Sequence, residues 1–204
     1  MEPVGAKSDL RRAARARRTR LAARLGTPRD RDAAAVAIAD AILGVVPAGA
    51  RVAAYLSLPD EPPTGRLVDA LLDAGHEVIV PITLTDFTLE WTYAAHGAVV
   101  DVARVVRGTV PAGTTVLGPG ALRTCGLIVA PGLAVDACGG RLGQGGGCYD
   151  RALRHRRPGV PVLTLIHEGE ASAEPLPLDP HDELVDGYVT TTGRLVWVRG
   201  GPPG

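Results

Sequence analysis

Residues 127–153 read LIVAPGLAVDACGGRLGQGGGCYDRAL, and this stretch decides the reading of the chain. It opens with four apolar residues, 127–130, which suit a buried strand. Pro131 and Gly132 end that strand, and a loop carrying Asp136 follows. A run with glycines at 139, 140, 143, 145, 146 and 147 comes next, holding one cation, Arg141. Residues 149–153 then read as the first turns of a helix. Strand, glycine-rich loop and helix present backbone N–H groups to an anion, because glycine admits close approach and φ > 0. A polyphosphate site is the reading, with Arg141 as charge partner and Asp150 as candidate magnesium ligand. The bland alternative is a flexible surface turn.

Two standard phosphate motifs are absent. There is no G-x-x-x-x-G-K-[ST], so the stretch is not a P-loop. A dinucleotide fingerprint needs its first glycine directly after the strand. Here a loop of roughly ten residues intervenes, and Cys148 occupies the place of the third glycine.

The motif Gly140-Arg141-Leu142-Gly143-x-Gly145-x-Gly147-x-Tyr149-Asp150-Arg151, preceded by Pro131-Gly132-Leu133-Ala134-x-Asp136, resembles the signature of the 5-formyltetrahydrofolate cyclo-ligase family, also called 5,10-methenyltetrahydrofolate synthetase. The family's usual ending is Gly-Tyr-Tyr-Asp; here Cys148 replaces the first tyrosine.

Working outward, residues 7–25 read as a helix ended by Gly26, with Leu10, Ala14, Arg17/Arg18 and Leu21 at helical spacing. About half of the basic residues lie before position 32, in a chain of zero formal net charge. This basic segment is either a solvated face or a wall for a polyanion. Nucleic acid is disfavoured because no aromatic residue interleaves with the arginines. Lys7-x-x-Leu10-Arg11 resembles the family's opening helix, which implies that Lys7 and Arg11 contact ATP phosphates. A helix over 30–43 and a buried strand over 52–56 follow. Tyr55-Leu56-Ser57-Leu58-Pro59-Asp60-Glu61-x-x-Thr64 resembles a second family motif, which implies that Leu56 and Glu61 contact folate. Without the resemblance, Glu61 reads as a solvated carboxylate in a turn.

Thr64 is expected to cap a helix reaching 74, followed by a strand over 78–80 closed by Pro81 and a partly exposed strand over 89–93. Residues 94–120 read as a loop with one short strand. Strands are expected over 160–166 and 195–198, and His181-Asp182 resembles a C-terminal family segment whose aspartate helps hold magnesium. The other histidines (76, 96, 155 and 167) read as structural or surface groups. Residues 1–6 and 200–204 are expected to be disordered.

The expected fold class is α/β: a single three-layer αβα domain over 1–204 with a largely parallel sheet. A hydrophobic content of 46% excludes a disordered chain. No apolar run approaches the ~20 residues of a membrane span, and no signal peptide is visible. Cys125, Cys138 and Cys148 lack metal or redox spacing, which points to a reducing, cytoplasmic setting. The resemblance implies an ATP- and Mg2+-dependent ligase acting on 5-formyltetrahydrofolate as a monomer, without nucleic-acid or membrane partners. It implies ATP binding by Lys7, Arg11, Arg141, Leu142, Gly143, Gln144, Gly145, Gly146, Gly147 and Tyr149. Leu56, Glu61, Gly147 and Cys148 would bind substrate, Arg141 and Asp150 would act in catalysis, and Asp150 and Asp182 would hold the metal. The alternatives are a nucleotide- or NAD-dependent oxidoreductase, with Glu168 as its acidic residue, and a folate or nucleotide binder without turnover.

Overall fold

The computed structural model describes residues 4–97 and 113–201. Alternating apolar strands and amphipathic helices build a mixed α/β architecture around a seven-stranded sheet. Its strands are β1 (Arg51–Ala53), β2 (Val78–Thr83), β3 (Leu89–Tyr93), β4 (Cys125–Pro131), β7 (Val162–Ile166), β9 (Gly187–Thr190) and β10 (Leu195–Trp197), in the order β10-β9-β7-β4-β1-β2-β3. The five inner strands run parallel, and β3 and β10 pair antiparallel at the edges. A small second sheet comprises β5 (Ala134–Asp136), β6 (Arg141–Leu142) and β8 (Ala171–Ser172).

Helices α2 (Pro28–Leu43) and α3 (Gly65–Asp73) cover one face of the main sheet. Ile38, Ile42, Leu67 and Leu71 pack there on Val52, Val78, Leu127 and Leu163. A 3-10 turn (Pro119–Thr124) and the short α4 (Cys148–Leu153) cover the other face through Leu122, Ala152 and Leu153. The expected three layers are therefore present, the second helical layer being thin. Helix α1 (Val4–Ala22) lies on the small sheet, with Leu10 and Ala14 against Leu133, Ala134 and Leu142.

From β1 the chain moves to β2 and β3 on one side of the sheet, then returns to β4 on the other. The order reverses between β1 and β4, so the loops leaving these two strands diverge and open a crevice at their C-terminal ends.

Several boundaries differ from the sequence reading. Helix α1 starts at Val4 and ends at Ala22, and tight i→i−3 hydrogen bonds from Arg24 and Leu25 carry the chain to Gly26. Of the disorder expected at 1–6 and 200–204, residues 4–6 are instead helical, and 1–3 and 202–204, with most of the loop expected over 94–120, fall outside the described residues. Strand β1 stops at Ala53 because the chain turns into a braced loop. There the Ser57 N–H donates to Thr64 Oγ1 and the Thr64 N–H donates to Ser57 Oγ. The Thr64 hydroxyl thus locks the loop and makes no cap bond to α3. Strand β2 continues through Pro81, which faces Trp91. The Trp91 carbonyl accepts from Leu117 and so points away from β2. Pro81 therefore needs no donor toward β3, and β1 has already ended on its other side. The supposed loop around Asp136 is a β5–β6 hairpin.

Strand β9 is squeezed between β7 and β10, and an added Cβ at Gly187 would lie 2.5 Å from the Val196 carbonyl oxygen and 3.0 Å from Leu163 Cδ2. Gly187→Ala should cost about 1–3 kcal/mol of stability by overpacking, read as a lowered midpoint in urea unfolding.

Candidate active site

One cavity occupies the crevice. Its floor comes from Pro131, the last residue of β4, from Gly132 after it, and from Glu61 in the loop after β1. Lys7, Arg11 and Arg18 of α1 enter from one side, and Gly143 to Asp150 form another wall. Pro81, Thr83 and Leu89 of the β2–β3 hairpin, with His181 and Asp182, complete the lining.

Asp136 fixes the base of the glycine loop. Its buried carboxylate accepts from the N–H groups of Cys138 (2.8 Å), Gly140 (2.8 Å) and Leu176 (2.7 Å). Arginines then take the carbonyls of the loop: Arg11 donates to Gly143 O (3.2 Å), Arg15 to Gln144 O (2.6 Å) and Arg151 to Gly146 O (2.9 Å). Among the described residues, no acceptor is found for the N–H groups of Gln144, Gly145, Gly146 or Gly147. With its carbonyls turned to cations and its N–H groups free, the loop suits an anion. Gly147 adopts φ 65°, which lets the chain turn directly into α4.

The charged groups hold one another. Arg141 Nη2 donates to Asp150 Oδ1 at 2.6 Å. Lys7 pairs with Asp179 at 2.7 Å and with Asp182. Burial opposes the charge of Lys7, but the two carboxylates more than offset it and its pKa rises. Burial also opposes ionisation of Asp182, yet Lys7 and the Asp179 N–H hold its carboxyl below the usual range. Each metal-candidate carboxylate keeps one oxygen, Asp150 Oδ2 and Asp182 Oδ1, without a hydrogen-bond partner among the described residues. These are hard donors of the kind magnesium takes. A second cluster of donors, Asp179, His181 and Asp182, includes Asp182 but not Asp150.

Glu61 is not solvated: it is 6% exposed, and its Oε2 accepts from the Leu58 N–H at 2.9 Å. Burial raises its pKa, opposed in part by that N–H and by Arg18. Tyr149 is buried, T-stacked on Trp91 at 6.4 Å, and beneath the Arg141 guanidinium at 5.9 Å. Burial first, and then Glu61, push its pKa up, so it remains a phenol. Tyr149 OH and Arg141 Nε are both buried without a partner, and both residues line the cavity. Buried orphaned donors in a cleft mark where a ligand completes the hydrogen bonding. The Cys148 thiol is half-buried, and burial raises its pKa, so it is no thiolate nucleophile.

The cavity brings together Lys7, Arg11, Glu61, Arg141, Gly143 to Asp150 and Asp182, but not Leu56 or Leu142. Leu56 packs on the opposite face of the sheet, and Leu142 is buried under α1. Glu168 is exposed and accepts from Thr192 at 3.0 Å, away from the cavity lining, so it is not placed to read a ribose.

Sequence reasoning missed the group beneath α1. Arg18 is 1% exposed and donates Nε and Nη2 to the two carboxylate oxygens of Glu170, at 2.9 and 2.7 Å, and to Gly132 O. Glu170 also accepts from the His167 N–H, and His167 Nε2 lies 2.9 Å from Asp60 O. Burial keeps this imidazole's pKa low. The signal for Arg18 was its place on the buried stripe of Leu10 and Ala14; Glu170 carried none.

Comparison with known proteins gives a consistent pattern. The sequence model of the 5-formyltetrahydrofolate cyclo-ligase family matches residues 3–191. The chain is 30% identical over 174 residues to the 5-formyltetrahydrofolate cyclo-ligase of Mycolicibacterium smegmatis, covering 83% of this chain and 88% of that protein. Its fold is similar to that of a 5,10-methenyltetrahydrofolate synthetase from Aquifex aeolicus, with TM-score 0.71 and 24% identity over 96% of this chain and 94% of that one. A 5,10-methenyltetrahydrofolate synthetase from Mycoplasma pneumoniae gives TM-score 0.67 and 16% identity, covering 93% of this chain and 99% of that one.

Two outcomes test this geometry. Arg18→Met should cost about 3–5 kcal/mol, because Glu170 stays buried without its cation. Adding Glu170→Leu should recover at least half of that in denaturant unfolding. Glu61→Gln bears on pH. The folded pKa of Glu61 lies above the ordinary 4.5, so its contribution to stability is present below that value and lost as pH rises through the raised pKa. The glutamine variant should therefore gain on wild type as pH rises, in a pH series of urea unfolding.

Proposed function

The chain belongs to the 5-formyltetrahydrofolate cyclo-ligase family, and from that premise we propose how its own residues make 5,10-methenyltetrahydrofolate from 5-formyltetrahydrofolate, with ATP consumed and ADP and phosphate released. The observation that carries this reading is the joining, in one cavity, of an N–H-rich loop flanked by Lys7, Arg11 and Arg141 to a buried carboxyl, Glu61.

A formamide oxygen is a poor leaving group. Phosphorylation by the terminal phosphoryl group of ATP makes it a good one: the formyl oxygen attacks phosphorus and ADP departs. N10 of the same folate then attacks the formyl carbon and loses its proton, phosphate leaves with the former formyl oxygen, and the ring closes. No protein nucleophile is needed, only positioning and charge neutralisation. Gly143 to Gly147 donate N–H groups to the phosphates. Lys7, Arg11 and Arg141 counter their charge, and Arg141 stabilises the phosphoryl group in transfer. Glu61 accepts from the pterin ring or donates to it when protonated, and Tyr149 and Cys148 line the folate. Leu142 acts only by holding the loop through its packing.

Asp150 and Asp182 would hold Mg2+ through their free oxygens, as hard carboxylate donors shared with phosphate. The ion supplies charge neutralisation on the phosphates. Lys7 and Arg141 occupy these carboxylates now, and phosphate would draw both cations away from them. The chain acts as one domain and as a monomer in a reducing compartment. Its three cysteines are free, in keeping with that setting, and no helix among the described residues is long and apolar enough to cross a membrane.

Adding 5-formyltetrahydrofolate to the protein with ATP and Mg2+ should release ADP in step with absorbance of the methenyl product. No ADP release would sink the ATP-dependent reading. Asp150→Asn should lower kcat by about a hundredfold or more with an unchanged unfolding midpoint; near-normal turnover at limiting magnesium would refute its role as ligand. Glu61→Gln should raise KM for the folate and leave KM for ATP alone.

A further inference from the structure

The β2–β3 hairpin breaks a local rule at its tip. The Leu84 N–H donates to Thr88 O (2.9 Å) and the Phe87 N–H to Leu84 O (3.0 Å), closing a three-residue loop, Thr85-Asp86-Phe87. The third residue of such a loop takes the left-handed conformation and is usually glycine. Here it is Phe87, at φ 63°, and among the described residues no other non-glycine has positive φ. Phe87 is the chain's one phenylalanine, and it is 55% exposed. A strained conformation and an exposed ring are both unfavourable, and such violations concentrate at functional positions.

The ring lies against the glycine loop. A Cβ added at Gly146 would sit 3.2 Å from Phe87 Cδ1 and 3.3 Å from Cys148 Sγ, so both side chains converge on one point of the cavity wall. Arg151 clamps the contact by donating to Phe87 O at 2.8 Å and Gly146 O at 2.9 Å. The two adjacent glycines face different surroundings. Gly145 faces the Arg11 guanidinium, whose Nε lies 3.6 Å from its built Cβ, whereas Gly146 faces Phe87 and Cys148. The hairpin bearing Phe87 also supplies Pro81 and Leu89 to the cavity. The cationic side suits phosphate, and the apolar side suits a flat organic ring.

We propose that Phe87 is a substrate-binding residue whose ring extends the apolar wall of the cavity at Gly146 and Cys148 and packs on an aromatic ring of the folate. This rests on the reading of the cavity as a folate and ATP site. Phe87→Gly removes the ring and also relieves the backbone, so binding should weaken while folding does not. Calorimetric titrations with 5-formyltetrahydrofolate and with a non-hydrolysable ATP analogue test it, alongside thermal unfolding. The glycine variant should bind folate about three- to tenfold more weakly, bind the nucleotide within about twofold of wild type, and show no loss in Tm. Phe87→Tyr should bind folate like wild type. Unchanged folate affinity in the glycine variant, or an equal loss for nucleotide, overturns the proposal while leaving the activity of wild type intact. A wild-type chain that binds no 5-formyltetrahydrofolate overturns the functional reading and this inference together.

Discussion

A buried arginine holds the site together. Arg18 spends three hydrogen bonds beneath α1, two on Glu170 and one on Gly132. Desolvating such a pair costs several kcal/mol per ion, which good geometry and additional hydrogen bonds must offset. Here the extra bonds come from the turn after β7 and the turn after β4, so one cation fastens a helix to two loops. Helix α1 buries little apolar surface of its own, chiefly Leu10 and Ala14. A greasier helix would bind the small sheet without defined register. The bidentate pair fixes the register, and with it the positions of Lys7 and Arg11 on the same helix.

With that register set, the electrostatics of the cavity follow. Arginines occupy carbonyls of the glycine loop, and Asp136 occupies N–H groups at its base. The loop is therefore polarised before any ligand arrives, which spares the cost of ordering it at the moment of binding. Lys7 and Arg141 rest on Asp182 and Asp150. Each cation holds a carboxylate in place, and each carboxylate keeps a flexible cation near the cavity. Arg141 faces one carboxylate and Lys7 faces two, Asp179 and Asp182, and both sets would become free donors and acceptors if a charged ligand exchanged the partners.

Much of this was legible in the sequence where chemistry is local. The glycine run, Arg141 and Asp150 lie within eleven residues of one another; their spacing alone left a phosphate loop and a surface turn both open, and the fold sets them in the lining of one cavity. The parallel sheet followed from apolar runs separated by helices. What failed depended on distant partners. Glu61 reads as a turn carboxylate until Arg18 and the 57–64 loop are folded over it. Thr64 has the sequence of a helix cap but bonds to Ser57, because the loop needs the hydroxyl more than the helix does. Leu142 sits between the cavity-lining Arg141 and Gly143, yet its place in β6 turns its side chain into packing under α1, and Leu56, past the end of β1, packs on the other face of the sheet. Pro81 looked like a stop because nothing local says that both its flanks lack an acceptor to satisfy.

Helix α1 has a consequence for how the protein is made. Its ties to Gly132, Glu170 and Asp182 span 114, 152 and 175 residues of chain. The helix leaves the ribosome well before these partners do. Contacts of such sequence separation form late, after loop closure has been met by other elements. During synthesis α1 is therefore a positively charged segment waiting for its carboxylates. The end of the cavity lined by Lys7 and Asp182 cannot exist on a nascent chain that stops short of Asp182, however well its sheet has formed.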